Sequence, residues 1–201
     1  KDSGVDIMLG TLSNDPYDIT LANAALADSG AKGFFKVVGV QWNVLDKTNS
    51  GTKIGSLPVW ATEHKCGNYP WLDGYNSSKA PNDQAYGVES WGYLRDAINK
   101  TGVTAYNAWN MVLDVGGNGN DTGRQWNQDA LLVADTGSKS LKVTPAYCVF
   151  RHFSQFVDPG DKVLGSSGET VAFKNPDNSL LAVMYSAQAK DPFVVSMGGK
   201  K

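Results

Sequence analysis

The sequence contains no run of basic residues and no apolar stretch long enough to cross a bilayer. Its 201 residues carry a net charge of −2 and a pI near 5.6. Nucleic acid and anionic membrane are therefore poor partners, since both reward clustered positive charge. A helical span would need about 20 apolar residues in succession. The opening Lys1-Asp2-Ser3-Gly4 shows none of the regions of a signal peptide. Histidine and cysteine are scarce, with two of each. His64 and His152 cannot build a histidine-rich metal centre, and Cys66 and Cys148 fit no metal-ligand spacing. No metal and no cofactor is expected, and each thiol reads as a buried free cysteine rather than half of a disulfide. Glycine, asparagine, tryptophan and tyrosine are abundant instead. Loops rich in rings and amides suit neutral polar ligands, because rings stack on sugar faces and amides bond to hydroxyls.

Periodicity gives the organisation. Val5–Gly10 reads as a strand breaking into a Ser-Asn-Asp-Pro turn. Ile19, Ala22, Ala25 and Leu26 recur at helical spacing between Asp18 and Asp28. Phe34–Trp42 is a second strand, Asn43–Ser56 a loop, and Leu57–Thr62 a third strand. After a long loop, a helix starts near Asn82 or Asp83 as cap, buries Tyr86, Ser90, Leu94, Ala97 and Ile98, and ends at Thr101-Gly102. A fourth strand, Val103–Leu113, follows. This β-α-β-loop-β-α-β rhythm marks a parallel sheet. Beyond it lie a short strand at Ala130–Asp135 and a helix with Thr144 as cap and Pro145 at its first position, running to Phe156. Short strands at Lys162–Leu164, Thr170–Lys174, Leu180–Tyr185 and Phe193–Met197, with a hairpin turn at Asn175–Asn178, suggest part of an antiparallel sandwich. Four parallel strands cannot close a barrel of eight, so the sheet is either open or one piece of a larger unit. A first residue lying directly before a buried-looking strand favours truncation.

One segment carries the chemistry. Leu57-Pro58-Val59-Trp60-Ala61-Thr62-Glu63 is an apolar run ending on a carboxylate, which is how a buried parallel strand delivers one acid to the rim of an α/β barrel. Strand parity groups Val59, Ala61 and Glu63 on one side and Trp60 and Thr62 on the other. On spacing alone Glu63 also fits a solvated loop carboxylate. Trp109 ends the fourth strand, with Asn107 sharing its parity and Asn110 opposed to it; filling the core is the bland alternative for Trp109. Gln41 and Trp42 end the second strand, Gln41 as a partner for Glu63 or a sugar hydroxyl and Trp42 as packing. Tyr69, Trp71 and Trp126 lie in loops at the same rim, as outer subsites or as loop packing. His64 reads as a supporting or loop residue, Asp114 and Asp121 as loop caps, and Arg151 and His152 as structural. Asn76, Asn99 and Asn120 match the glycosylation sequon.

The segments TEHKCGNYPW (62–71), WNMVLD (109–114) and TPAYCVFRHFSQFVDPG (144–160) resemble, in order, the C-terminal half of glycoside hydrolase family 30. GVQWN (39–43) and AFKNPDNSLLAVMY (172–185) add weaker support. The resemblance covers nearly the whole chain and looks closer to the glucosylceramidase and endo-β-1,6-glucanase branch than to the glucuronoxylanases. It implies an α/β fold: the C-terminal half of a (β/α)8 barrel, strands five to eight, over residues 1–157, and part of a β-sandwich side domain over 158–201. It implies a retaining β-glycosidase with Glu63 as nucleophile and Trp109 as the platform of the −1 subsite. Gln41, Trp42, Asn107, Tyr69, Trp71 and Trp126 are the further candidates for substrate contact. The implied substrate is a β-glucan or β-glucoside, with xylan or galactan, or glycan binding without turnover, as alternatives. The family's acid/base sits on a strand absent from this chain, so the missing N-terminal half is the expected partner. A secreted location is implied, and the isolated chain is expected to be inactive by itself and to self-associate or take up a partner fragment through its raw edges.

Overall fold

The computed structural model describes residues 4–65, 84–117 and 128–187. Its first half is a chain of strand–helix units. Strand β1 (Ile7–Leu12) leads to helix α1 (Tyr17–Ala27), whose start is tied by the Asp18 carboxylate accepting from the N–H groups of Ser13 and Asn14. Strand β2 (Phe35–Gln41) runs directly into helix α2 (Trp42–Asn49). Strand β3 (Val59–Lys65), helix α3 (Gln84–Asp96) and strand β4 (Val103–Trp109) complete the series. A π-helical turn at Ala97–Thr101 ends α3, and Gly102 closes it with φ +76°, a conformation only glycine adopts without penalty.

Helix α2 corrects the loop expected at 43–56. Its polar composition conceals a short apolar stripe: Val44, Leu45 and Thr48 lie on one side of two helical turns and are all buried. Thr48 disposes of its hydroxyl by donating to the Leu45 carbonyl. The rhythm is therefore β-α-β-α-β-α-β without a gap.

All four strands pair in parallel in the order β1-β2-β3-β4. A doubly wound sheet reverses its strand order to place helices on both faces. Here the order never reverses. Val38, Val40, Ala61 and Val103 from the sheet share one core with Ile19 and Ala22 of α1, Val44 and Leu45 of α2, and Ala97 beyond α3. The helices thus cover one face of the sheet, and among the described residues no helix covers the other, its open face. Glycine at 39 belongs to the open face, where a Cβ would come within 2.7 Å of Met8 Sδ and 3.0 Å of Thr62 Cγ2.

The expected strand at 103–113 divides. β4 stops at Trp109, the Trp109–Asn110 peptide is cis, and Val112–Asp114 forms a separate strand, β5. β5 joins β6 (Leu132–Asp135) and β7 (Ser140–Val143) in a small sheet of its own. β7 has no apolar alternation inward and outward, all four residues being exposed, which is why the sequence hides it. Helix α4 (Pro145–Ser154) begins as expected: Thr144 Oγ1 accepts from the Tyr147 N–H and Pro145 occupies the first turn. It ends at Ser154, before Phe156, which is exposed.

The C-terminal strands β8 (Lys162–Leu164), β9 (Thr170–Lys174) and β10 (Leu180–Met184) form an antiparallel sheet in the order β10-β9-β8. The hairpin between β9 and β10 is closed by Asn175 N–H to the Ser179 carbonyl and by Asp177 accepting from Ser179. Phe153 of α4, Trp91 and Leu94 of α3, and Val171, Phe173 and Val183 of this sheet form a second core. Trp91 and Arg95 of α3 both donate to the Glu169 carboxylate beside β9. The expected strand at 193–197 lies outside the described residues.

One further expectation is corrected here. Cys148 is a free thiol but an exposed one, because its position on α4 points away from both cores; Cys66 lies outside the described residues. Asn99, one of the three asparagines that match the sequon, is engaged within the fold: its Nδ2 donates to the Thr170 carbonyl at 2.9 Å and its Oδ1 accepts from Ser166. Asn76 and Asn120 lie outside the described residues.

Candidate active site

Backbone register decides which side chains meet at the C-terminal end of the sheet. Val40 pairs with Ala61 but Gln41 pairs with Glu63, so β3 carries one more residue than β2 at this point. The same excess appears on the other side, where Ala61 pairs with Tyr106 and His64 with Ala108. This bulge resets the parity of the strand. Ala61 is fully buried against the helices, and so is His64. Glu63, between Thr62 and His64, therefore faces the open side of the sheet. The unbroken alternation expected from the sequence would have put Glu63 with Ala61, and that grouping is wrong. Trp60, 42 % exposed, belongs to the open face as well.

The same alternation places Gln41 on the open face, next to Val40 of the helix-side core, and Asn107 and Trp109 on it, flanking Ala108. Gln41, Glu63 and Trp109 are half-buried and Asn107 is exposed. The structure thus brings Gln41, Glu63, Asn107 and Trp109 to one rim. Tyr69, Trp71 and Trp126 lie outside the described residues.

Glu63 is held from the side by Trp42, whose indole Nε1–H donates to Oε1 at 2.8 Å. Trp42 sits at the first position of α2 with φ +42°, and Gln41 before it is extended. The chain therefore turns sharply out of β2 and throws the indole across the end of β3. Gln41 is the residue expected to bond to Glu63 or to a sugar hydroxyl, and Trp42 is expected to pack. The structure assigns the bond to Trp42.

Trp109 has its own support. Its Nε1–H donates to Gln128 Oε1 at 2.7 Å, and Asn110 Nδ2 donates to the same oxygen at 2.9 Å. Asn110, placed on the opposite side by simple parity, joins Trp109 at the cis peptide. Gln128 is 4 % exposed and its backbone N–H bonds to the Gly117 carbonyl. No local pattern in the sequence marks it: its role exists only through its contacts with Trp109, Asn110 and Gly117, which are distant in the chain.

Behind the rim, His64 is fully buried. Its Nδ1 lies 2.9 Å from the Tyr106 hydroxyl and its Nε2 3.5 Å from Asp46 Oδ1. The rings of Trp42, Tyr93 and Tyr106 surround it at centroid distances of 6.2, 5.2 and 5.9 Å. His64 is thus a core residue of the strand rather than a loop residue. Burial and the neighbouring Glu89 carboxylate push the Tyr93 phenol far above its ordinary range, so it stays protonated. Asp114 caps a turn, accepting from Gly116 N–H, as expected of a loop residue. Arg151 and His152 are exposed on α4, bonded to Gln155 and to the Cys148 carbonyl.

No group of three or more potential metal ligands is found among the described residues, and no described helix is long and apolar enough to cross a membrane. Three clefts, of about 460, 410 and 470 Å³, line other parts of the molecule and include none of Trp42, Glu63 and Trp109.

Solved structures share this fold. SrfJ from Salmonella typhimurium aligns with a TM-score of 0.64 at 19 % identity over 83 % of this chain. The catalytic domain of the GH30 xylanase C from Talaromyces cellulolyticus aligns at 0.56 with 19 % identity over 89 % of the chain. The endo-β1,6-glucanase BT3312 aligns at 0.55 with 16 % identity over 84 %. The chain spans 37–38 % of the length of these proteins. No protein-family model and no curated protein matches the sequence. The class defined is an α/β protein whose parallel sheet matches part of a glycoside hydrolase family 30 catalytic domain. At these identities the likeness shows the fold, without fixing the branch of the family or which half of the barrel is present.

Proposed function

We propose that this chain is the C-terminal half of the catalytic region of a retaining β-glycosidase and supplies its nucleophile, Glu63. The observation that carries the reading is the placement of Glu63: half-buried, on the open face of the sheet at its C-terminal end, with Oε1 fixed by the Trp42 indole. The C-terminal rim is where α/β barrels carry their chemistry. The bond to Oε1 leaves Oε2 as the attacking oxygen. It forms a bond to the anomeric carbon as the glycosidic C–O bond breaks, and a second carboxylic acid protonates the departing oxygen. Water, deprotonated by that second group, then releases the sugar with net retention. In retaining enzymes the two carboxyl groups lie about 5–5.5 Å apart. No second carboxylate flanks Glu63 among the rim residues described, so the acid/base comes from the remaining half of the barrel.

In this reading β1 to β4 are barrel strands five to eight, residues 1–157 belong to the barrel, and 158–201 to a β-sandwich side domain. Trp109, held flat by Gln128, is the platform of the −1 subsite, with Gln41 and Asn107 bonding to hydroxyls. The substrate is a β-glucan or β-glucoside and the protein is secreted. A 2-deoxy-2-fluoro-β-glucoside with a good leaving group should label Glu63 in the full-length natural protein, as seen by peptide mapping. Labelling of a different residue, together with full activity of Glu63→Gln, would refute the assignment. Glycan binding with no turnover would instead favour a non-catalytic carbohydrate-binding role.

A further inference from the structure

We propose that His64 is a positioning residue for Glu63, acting through the Trp42 indole. The inference rests on the reading of Glu63 as nucleophile only for its functional consequence; the geometry stands apart from it. His64 follows Glu63 in β3 but points to the opposite face, into the helix layer. There its Nδ1 lies at hydrogen-bond distance, 2.9 Å, from the Tyr106 hydroxyl of β4, while its Nε2 faces Asp46 of α2 at 3.5 Å without a hydrogen bond to it. The imidazole Nδ1 and the Tyr106 hydroxyl can pair in either donor sense, and Nε2 is turned towards the Asp46 carboxylate. Two elements on either side of β3 thus face one imidazole.

That imidazole in turn locates the start of α2. Asp46 lies four residues after Trp42, one helical turn along α2. The imidazole and indole rings meet at 6.2 Å with a tilt of 36°, within the range of an aromatic pair. Trp42 is therefore held by ring contact with His64, and the approach of Nε2 to Asp46 adds a weaker electrostatic tie to the same helix. Both constraints set the direction of the Nε1–H that donates to Glu63 Oε1. A carboxylate must be aimed within a fraction of an ångström to attack in line, and supporting groups behind the contact residues supply that aim.

The test uses the full-length natural protein labelled with 15N-tryptophan, with the Trp42 indole resonance assigned by Trp42→Phe. An indole N–H bonded to a carboxylate is shifted and protected from hydrogen exchange. In His64→Gln the Trp42 resonance should move and its exchange quicken at least tenfold, while the indole resonances of the other tryptophans stay in place. Tyr106→Phe and Asp46→Asn remove the two contacts singly and should each give a part of that change. If His64→Gln does not fold, these two variants decide. An unchanged Trp42 N–H in the folded variants overturns the proposal. In steady-state assays on an aryl β-glucoside, His64→Gln should lower kcat at least tenfold with KM within twofold. A wild-type protein without turnover would refute the glycosidase reading, and the resonance experiment would still judge the positioning role.

Discussion

Replacing Gln128 by leucine tests whether the Trp109 platform is built by the hydrogen bonds that the structure shows. Gln128 Oε1 accepts two bonds, from Trp109 Nε1 at 2.7 Å and Asn110 Nδ2 at 2.9 Å, and the side chain that carries it is buried. Leucine of similar volume keeps the packing and removes the acceptor. Each neutral bond contributes about 0.5–1.5 kcal/mol net, and a buried donor left unsatisfied costs about 1–3 kcal/mol. Trp109 and Asn110 are only half-buried, so water can reach the freed donors and the lower figure applies to each. Two bonds then give a loss of about 1–3 kcal/mol. In a chain of this size that is a fall in Tm of about 2–12 °C. Gln128→Glu keeps an oxygen in the same place and should fall less. The assay is urea unfolding of both variants against wild type, followed by tryptophan fluorescence. In the glycosidase reading, Gln128→Leu should also raise KM, since a loose indole stacks less well on a sugar. A Gln128→Leu variant as stable as wild type, or one less affected than Gln128→Glu, would refute the reasoning.

Three other outcomes follow from the described residues. Tyr93 is held protonated by burial and by Glu89, above its ordinary value of 10.0; in the unfolded chain it ionises near that value. The unfolded state therefore binds fewer protons than the native state above pH 10. Stability from this group is whole below pH 10 and should fall above it by about 1.4 kcal/mol per pH unit. The difference between wild type and Tyr93→Phe across pH 9–11.5 isolates this slope, and parallel curves would contradict it. Gly87 on α3 meets Pro145 of α4, where an added Cβ would lie 2.7 Å from the proline Cβ and 3.2 Å from its backbone carbon. Neither can swing aside. Gly87→Ala should therefore lose about 1–3 kcal/mol by overpacking, offset by about 1 kcal/mol of helix propensity, and a stabilised variant in urea unfolding would show the helices able to separate at no cost. Native-state maleimide labelling should modify the exposed Cys148, with Cys148→Ser abolishing that adduct; protection of Cys148 until denaturant is added would show it covered.

The parallel half of the fold was legible because its information is local. The strands at 35–41 and 59–65 are announced by short apolar runs, α3 carries its stripe and its closing Gly102, and α4 carries its Thr144-Pro145 start, while the cap expected for α3 at Asn82 or Asp83 lies outside the described residues. Helix α2 escaped because three buried side chains among Asn, Asp, Lys and Thr make too short a stripe to outweigh composition. Strand β7 escaped because it is exposed on every residue and exists by pairing with β6 alone. Both failures have one cause: these segments take their structure from what they pack or pair against.

The site divides along the same line. That a strand carries Glu63 near its C-terminal end follows from residues 57–63, although β3 runs on to Lys65, and the meeting of Gln41, Glu63 and Trp109 at one rim follows from parallel strands sharing an end. Which way Glu63 faces does not follow. A parity count from Ala61 aims it correctly only if the barrel interior is the side of Ala61, yet Ala61 is buried against the helices. The count and the assumed face are both wrong, and the two errors cancel. The bulge between Ala61 and His64 performs the reversal, and it is a property of register with β2 and β4, invisible in β3 by itself. A carboxylate that must point opposite to the strand's apolar residues needs such a break, because β3 has to bury Ala61 and His64 on one face while presenting Glu63 on the other. The bulge is where packing and the proposed chemistry make incompatible demands on a period of two, and the strand meets both by adding one residue.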